Sequence, residues 1–177
     1  SPNDLRSVLA QLQALGRFPL EPVVRLPSDD PISIKRFMDA GARSLMIPNV
    51  RSPAQAREIV AATQYAPDGI RGFSVAHRAN QFGRIGGYHA AARDRQLLVL
   101  QIECATGVEN AEEIAAVEGV DVLFAGPGDL STNMGEMGNP AVEAVQAAIE
   151  KVARVTARAG KGAGRRAPVR RQADRYL

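Results

Sequence analysis

Helical and strand patterns alternate along this chain, and the alternation constrains the fold more than any other feature. Short apolar runs typical of strands stand between helical segments, at residues 22–25, 44–48, 96–102 and 120–124. Strict alternation predicts parallel strands that are joined by right-handed helical crossovers. The sequence therefore indicates an α/β fold with four visible strands, which suits part of a (β/α)8 barrel or a small open sheet.

Residues 65–88 interrupt the alternation. This segment contains five glycines, one proline and several basic residues, with little apolar periodicity. Loops of this length within a compact domain usually have a function or contain irregular structure. His77 and His89 lie within or beside the segment and lack the spacing of metal ligands, so we predict structural or surface roles for both.

The composition excludes several classes of protein. With 45% hydrophobic and 23% charged residues, the 177-residue chain has the composition of a globular domain with a substantial core. No apolar run approaches the roughly 20 residues of a membrane helix, and the N-terminal residues lack a signal-peptide pattern. The single cysteine, Cys104, excludes an internal disulfide and is consistent with a cytoplasmic location. We therefore expect no membrane partner.

The basic charge is concentrated at the C-terminal end. The chain carries a net charge of +3, whereas the residues from Gly160 onward contain six basic side chains and one acidic side chain, a net +5. The remainder therefore carries −2. Binding to nucleic acid would depend on this end alone and would weaken steeply with salt. We expect a solvated chain end instead, and no nucleic-acid partner.

Two carboxylates follow predicted strands. Glu103 comes directly after the run at 96–102, and Asp129 follows the run at 120–124 after a short glycine-containing turn. Parallel strands meet at one edge of a sheet about 4.8 Å apart, so two carboxylates there would repel each other unless a cation lay between them. A bound divalent cation is one interpretation. The other is that Asp129 caps the following helix.

Other residues near the strand ends narrow the chemistry. Arg25 ends the first predicted strand, where it could stabilise negative charge on an oxygen or form a salt bridge. Gly126 and Gly128 would leave backbone N–H groups open to a ligand carboxylate. None of the three lysines stands at a predicted strand end, which argues against Schiff-base chemistry. Cys104 has no accompanying histidine pattern, so we interpret it as a small packed residue.

Several motifs occur together in the order of one enzyme family. They are Pro22-Val23-Val24-Arg25, Gly69-Ile70-Arg71-Gly72, Gln101-Ile102-Glu103, Glu118-Gly119-Val120-Asp121 and Phe124-Ala125-Gly126-Pro127-Gly128-Asp129-Leu130. Over essentially residues 1–164, the sequence resembles the HpcH/HpaI family of class II pyruvate aldolases. The run Gly72-Phe73-Ser74-Val75-Ala76-His77-Arg78-Ala79-Asn80 resembles its 2-dehydro-3-deoxyglucarate aldolase branch in particular.

The resemblance implies a fold, a reaction and an assembly. The fold would be a (β/α)8 TIM barrel of the phosphoenolpyruvate/pyruvate-domain type, in a homo-oligomer that is usually a hexamer. The reaction would be Mg²⁺- or Mn²⁺-dependent retro-aldol cleavage of a 2-keto-3-deoxy sugar acid in carbohydrate-acid catabolism. For 2-dehydro-3-deoxyglucarate the products would be pyruvate and tartronate semialdehyde.

The resemblance also implies roles for particular residues by motif position. The metal would be bound by Glu103 and Asp129, and the pyruvyl carboxylate or keto oxygen by Gln101 and the backbone at Gly128. The catalytic residues would be Arg25, which stabilises the enolate, and Asp39, which supports the catalytic base.

Two departures from the family pattern leave alternatives open. The family's base is a histidine in an Asp-Gly-Glu-His stretch, and Ser1-Pro2-Asn3-Asp4 resembles the residues directly after that stretch, so the histidine would precede Ser1. Gly164-Arg165-Arg166 stands where the family has an apolar strand. We therefore expect an incomplete barrel domain over residues 1–164 and a basic tail over 165–177. The chain would be either an active aldolase or a non-catalytic fragment that binds metal and keto acid.

Overall fold

A computed structural model describes residues 3–166 of the chain, which have an α/β fold with a parallel five-stranded sheet. In chain order, the elements are α1 (Leu5–Leu15), β1 (Val23–Arg25), α2 (Pro31–Asp39), β2 (Ser44–Ile47), α3 (Pro53–Thr63), β3 (Leu97–Ile102), α4 (Ala105–Glu109), α5 (Ala111–Ala115), β4 (Val122–Ala125), α6 (Pro127–Asn133), α7 (Glu143–Arg158) and β5 (Gly162–Arg165). The described residues form two compact units: residues 3–47 with 57–98, and residues 48–56 with 99–166.

Capping residues begin the first two helices of the first unit. Asp4 caps α1 by accepting a hydrogen bond from the N–H of Ser7 at 2.8 Å. Asp30 caps α2 in the same way through the N–H of Ser33 at 2.8 Å, and Pro31 occupies the first turn, where no N–H partner is needed. β1 and β2 pair in parallel. The apolar faces of these elements are buried, at Val8, Leu12, Ile34, Phe37, Met38, Leu45 and Ile47.

The segment after α3 is irregular, as predicted. Turns and one short 3-10 helix, Arg78–Asn80, make up most of it. Its beginning is fixed against the end of α3, because the N–H of Arg71 donates to the carbonyl oxygen of Gln64 at 2.8 Å. The backbone passes so closely that a Cβ at Gly69 would lie 2.4 Å from that same oxygen. This close approach determines the position of the Arg71 side chain.

The second unit contains three parallel strands. β3 pairs with β4, with Leu100 opposite Leu123, and β4 pairs with β5, with Leu123 opposite Ala163. The interior is apolar and includes Leu100, Ile102, Ile114, Leu123, Leu130, Val145, Ile149 and Val152. The last three residues of that set belong to α7, whose buried positions recur at helical spacing.

The fifth strand, β5, corrects the prediction of four. Its sequence, Gly-Ala-Gly-Arg, lacks the branched and aromatic residues that favour strands. Tertiary packing favours the strand nevertheless, because only a glycine fits at position 164. A Cβ there would lie 2.8 Å from the Phe124 ring of β4. The small residues let the strand lie beside large side chains. β5 runs through Arg165, residues 167–177 lie outside the described part, and the domain boundary at residue 164 stays a prediction.

Three helical predictions also differ from the structure. The pattern at residues 106–117 predicts one helix, which the structure divides at Asn110 into α4 and α5. The residues between β4 and the last helix predict a loop, but they contain α6. Asn139-Pro140 predicts the start of the last helix, whereas α7 begins at Glu143. Short helices such as α6 contain too few residues for an apolar periodicity to be recognised in the sequence.

Within residues 3–166, no helix is both long enough and apolar enough to cross a membrane.

Candidate active site

β3 carries two polar side chains at and just beyond its carboxyl end. The strand is otherwise apolar, and Gln101 and Glu103 are nonetheless only 8% and 6% exposed. A charged group is costly to bury unless it is hydrogen-bonded or paired. A carboxylate at this position therefore requires polar surroundings, which the second unit supplies.

Gly126 accommodates both of these side chains. Its N–H donates to the carbonyl oxygen of Ile102 at 2.9 Å, which aligns the end of β4 with the end of β3. A Cβ at Gly126 would lie 2.8 Å from Oε1 of Glu103 and 3.0 Å from Nε2 of Gln101. The carboxylate and the amide therefore lie together against a stretch of bare backbone.

Asn49 holds the other oxygen of the same carboxylate. Its backbone N–H donates to Oε2 of Glu103 at 3.0 Å. Asn49 has a φ of 58°, in the left-handed region that most side chains avoid but asparagine tolerates. The next N–H, of Val50, donates to the carbonyl oxygen of Gln101 at 3.0 Å. The turn after β2 is thus bonded to both polar residues at the end of β3.

Gly128 and Asp129 lie in the first turn of α6. Gly128 faces open space where a Cβ would stand, so its role differs from the packing role of Gly126. Asp129 is exposed, and the N-cap of α6 is Gly126, so Asp129 is a first-turn acid rather than the cap itself. A carboxylate in a first turn is favoured by the helix dipole. The capping interpretation is therefore wrong, although Asp129 lies in the first turn of the helix, and the metal interpretation stays a prediction.

The donor set at the strand ends suits a divalent cation. Carboxylate and amide oxygens are the hard ligands that Mg²⁺ and Mn²⁺ take, and such ions often keep several water ligands. Glu103 and Asp129 provide two carboxylates after neighbouring strands, and Gly126 leaves the first of them uncovered by a side chain. No cluster of three or more His, Cys, Asp or Glu side chains suited to a metal occurs among the described residues. In their chemistry Glu103 and Asp129 suit an open site with two protein ligands, and their metal role stays a prediction.

Asp39 lies at the end of α2 in the first unit, within a ring of donors. Oδ2 accepts a short hydrogen bond from Lys35, and Oδ1 accepts one from Nη2 of Arg71 at 2.8 Å. The guanidinium of Arg71 is fully buried, and it lies 4.5 Å from the centre of the Tyr65 ring. Burial raises the pKa of Asp39, but the hydrogen bonds and charges of Lys35 and Arg71 outweigh burial and bring the pKa below its ordinary value.

His77 stands beside the same carboxylate. Its Nδ1 accepts a hydrogen bond from the N–H of Asn80 at 3.3 Å, and its Nε2 lies 4.0 Å from Oδ1 of Asp39. Since Nδ1 accepts, the neutral ring carries its proton on Nε2, which directs an N–H towards Asp39. Burial lowers the pKa of His77, against the raising effect of Asp39. The ring caps the 3-10 helix, so the predicted structural role agrees with its contacts.

Arg25 and Cys104 lie where the sequence indicates. Arg25 is the last residue of β1, in the first unit, and is exposed. Cys104 is buried and begins α4, where its Sγ accepts a hydrogen bond from the N–H of Gly107 at 3.4 Å. This small packed role agrees with the sequence interpretation. The three lysines lie in α2, in α7 and between α7 and β5, away from the carboxyl ends of strands.

Sequence reasoning misses the residues that hold these groups in place. The sequence marks Asn49 only as the end of a strand, and its left-handed backbone has no sequence signal beyond the tolerance of asparagine for it. Arg71 and Tyr65 come from an irregular segment without periodicity. The available signal is the motif Gly69-Ile70-Arg71-Gly72, in which the first glycine is required by a close backbone approach.

Known proteins resemble the chain in sequence and in structure. The 5-keto-4-deoxy-D-glucarate aldolase of Shigella boydii is 43% identical over 177 residues, which are 100% of this chain and 69% of the relative. A crystal structure of an HpcH/HpaI aldolase/citrate lyase family protein from Burkholderia cenocepacia matches with a TM-score of 0.96 and 38% identity, over 99% of this chain and 71% of that one.

A more distant structure shares the fold alone. CitE from Mycobacterium tuberculosis, in complex with magnesium and acetoacetate, matches with a TM-score of 0.57 and 18% identity, over 93% of this chain and 60% of that one. With the parallel strands, these matches confirm the prediction of an incomplete TIM-barrel type. The family model of the HpcH/HpaI aldolase/citrate lyase proteins matches residues 2–164, and the chain belongs to this family of aldolases and lyases.

Proposed function

We propose that this chain provides the metal and keto-acid site of an aldolase that cleaves a 2-keto-3-deoxy sugar acid. The observation that supports it most is the buried Glu103 carboxylate, which lies with the Gln101 amide against the bare backbone of Gly126. A buried carboxylate beside an amide donor suits a cation and the polar end of a keto acid.

The similarity to a glucarate aldolase supports the proposed substrate class. A 5-keto-4-deoxy glucarate, numbered from its other end, is a 2-keto-3-deoxy acid with a second carboxylate at its far end. Retro-aldol cleavage of such an acid, for example 2-dehydro-3-deoxyglucarate, yields pyruvate and tartronate semialdehyde. The identity of 43% supports this substrate class.

A divalent cation, Mg²⁺ or Mn²⁺, would be held by Glu103 and Asp129 and would polarise the keto oxygen as a Lewis acid. CitE, a distant structure of the same fold, forms a complex with magnesium and acetoacetate. Gln101 would donate its amide N–H to the keto acid, and the backbone at Gly128, with open space beside it, would receive the carboxylate. These roles agree with the burial of Gln101 and the exposure of Gly128.

The two catalytic roles in the first unit rest on motif position. Arg25 would stabilise the enolate oxygen that forms when the carbon–carbon bond breaks. Asp39 would orient the base. Its low pKa and its bonds to Lys35 and Arg71 support a permanently charged acceptor rather than a group that exchanges protons near neutral pH. A homo-oligomer, a hexamer by family resemblance, and a cytoplasmic location remain parts of this proposal.

The activity is tested by coupling pyruvate release to lactate dehydrogenase and following NADH absorbance. The chain is supplied with a 2-keto-3-deoxy-aldarate and Mg²⁺ or Mn²⁺, and a parallel sample contains EDTA. We expect pyruvate only where the metal is present. Pyruvate at an equal rate in EDTA would contradict the metal-dependent mechanism.

The non-catalytic alternative is favoured by the absence of the family's Asp-Gly-Glu-His stretch from these 177 residues. A longer form of the protein that includes this stretch distinguishes an active aldolase from a non-catalytic fragment. If the longer form releases pyruvate and the 177-residue chain only binds metal and keto acid, the alternative is correct for the chain. If neither form releases pyruvate from any 2-keto-3-deoxy-aldarate, the proposed reaction is wrong.

The metal ligand is tested by Glu103→Gln, with Glu113→Gln on the exposed face of α5 as the matched control. The substitution keeps the shape of Glu103 and removes its charge. We expect Mn²⁺ binding, measured by electron paramagnetic resonance, to be lost in Glu103→Gln and retained in Glu113→Gln. Equal affinities in both variants would show that Glu103 is not a ligand.

A further inference from the structure

Asn49 combines two unusual features at the proposed metal site. It is one of three non-glycine residues with positive φ among the described residues, and its N–H donates to Oε2 of Glu103 at 3.0 Å. Most L-residues avoid left-handed backbone, and asparagine is one of the few that adopt it, so a larger or branched side chain would be strained at this position. Residues in such conformations are concentrated at functional sites.

The surrounding bonds hold the Asn49 backbone in this conformation. Nε of Arg51 donates to Oδ1 of Asn49 at 3.0 Å, and the N–H of Arg51 donates to Oε1 of Gln55 at 2.8 Å. From the start of α5, the side chain of Asn110 donates to the carbonyl oxygen of Arg51 at 2.8 Å. The backbone shortly after Asn49 is thus bonded at Arg51, through both its N–H and its carbonyl oxygen.

We propose that Asn49 is a positioning residue for the metal-ligand carboxylate, and that it acts through its left-handed backbone N–H rather than its side chain. The N–H occupies Oε2 of Glu103 and thereby fixes the plane of the carboxylate. On the opposite side, Gly126 allows Oε1 to approach the backbone. Ligand carboxylates are commonly oriented by such second hydrogen bonds, whose loss weakens metal affinity about 10- to 100-fold. The inference rests on the proposed metal role of Glu103.

A backbone series separates the role of the N–H from that of the side chain. Asn49→Gly removes the side chain and adopts positive φ without strain, so Mn²⁺ affinity should stay within about twofold. Asn49→Val strongly disfavours positive φ and should weaken Mn²⁺ binding about 10- to 100-fold. Gln81→Val is the matched control, because Gln81 has a similar φ of 51° in the first unit. It should lose thermal stability without a comparable loss of Mn²⁺ affinity.

The hydrogen bond itself is measured without metal by nuclear magnetic resonance of the ¹⁵N-labelled chain. In Glu103→Gln the amide proton of Asn49 should move upfield, since a neutral acceptor replaces a carboxylate. The amide of Val50, which donates to the Gln101 backbone, should move little and is the internal control.

Three outcomes would overturn the inference, and they are distinguishable from one another. An unchanged Asn49 amide in Glu103→Gln would show that the hydrogen bond is absent. Metal binding that is lost in Glu103→Gln but equal in Asn49→Val and Asn49→Gly would leave the proposed function standing and refute the positioning role. If the unaltered chain bound no Mn²⁺, the proposed metal role of Glu103 would fail together with this inference.

Discussion

At the scale of single residues, the site depends on a glycine that leaves space for neighbouring side chains and on hydrogen-bond donors that orient the carboxylates. Gly126 leaves room for Glu103 and Gln101, and the backbone of Asn49 directs one carboxylate oxygen. In the first unit, Arg71 has the corresponding role for Asp39, because its buried guanidinium donates to Oδ1. The candidate site residues are thus held by neighbours that have no proposed part in the chemistry.

Substitution of Gly126 tests the packing of the proposed metal ligand. In Gly126→Ala the new methyl group would lie 2.8 Å from Oε1 of Glu103, so the carboxylate has to move. We expect a loss of about 1–3 kcal/mol in the free energy of unfolding from overpacking, and Mn²⁺ affinity about 10- to 100-fold weaker.

Gly86→Ala is the control for this substitution, because open space surrounds the Cβ position of Gly86 in the first unit. Urea unfolding and isothermal titration with Mn²⁺ measure the two quantities. The control should keep its affinity for Mn²⁺ and its stability. An unchanged affinity in Gly126→Ala would show that the Glu103 carboxylate need not occupy the position described.

At the scale of elements, the irregular segment after α3 is positioned by its first turn. Gly69 lets the chain pass over the end of α3, and the N–H of Arg71 then bonds to the Gln64 carbonyl oxygen. The close approach at Gly69 therefore determines where the buried Arg71 side chain bonds to the Asp39 carboxylate at the end of α2.

Gly69→Ala tests the dependence of this segment on its first turn. A methyl group at position 69 would lie 2.4 Å from two carbonyl oxygens, which are backbone atoms and cannot turn aside. We expect a loss of about 1–3 kcal/mol in the free energy of unfolding. The Asp39 carboxyl pKa should rise towards its ordinary value when Arg71 is displaced, as measured by ¹³C nuclear magnetic resonance.

Gly72→Ala is the comparison within the same motif. The methyl group there would meet Cε of Lys35 at 2.9 Å, which is the flexible end of a side chain. A smaller loss of stability is therefore expected. Equal losses in the two variants would contradict the special role of the first glycine.

At the scale of the whole molecule, His77 links stability to pH. Burial lowers the pKa of His77 below 6.5 in the folded state, against the pull of Asp39 in the other direction. Above pH 6.5 the ring is neutral in both the folded and unfolded states and contributes no pH dependence. Below that pH the unfolded state binds more protons, so stability falls until the pH passes the folded pKa.

The pH dependence is measured by urea unfolding at pH 7.5 and pH 5.5. In His77→Asn the side-chain oxygen can still accept from the N–H of Asn80, but the side chain at position 77 no longer titrates. We expect a smaller fall in the free energy of unfolding for the variant than for the unaltered chain. A fall of the same size in both would show that His77 does not carry the effect.

The sequence by itself determined the class of fold and the residues that bear charge at the ends of strands. Periodicity and alternation are local properties, so β1 to β4 and the long helices were predictable from them. Glu103 was visible for the same reason, as a carboxylate directly after an apolar run. Its role as a metal ligand, with Asp129, stays a prediction.

Only the tertiary structure decided how these residues are held. β5 forms from a glycine-rich segment because β4 offers a paired backbone and large side chains that need small neighbours. The backbone of Asn49 reaches Glu103 across 54 positions of sequence. Arg71 reaches Asp39 across 32 positions. Such contacts depend on distances between segments far apart in the chain, and no local pattern of residues encodes them.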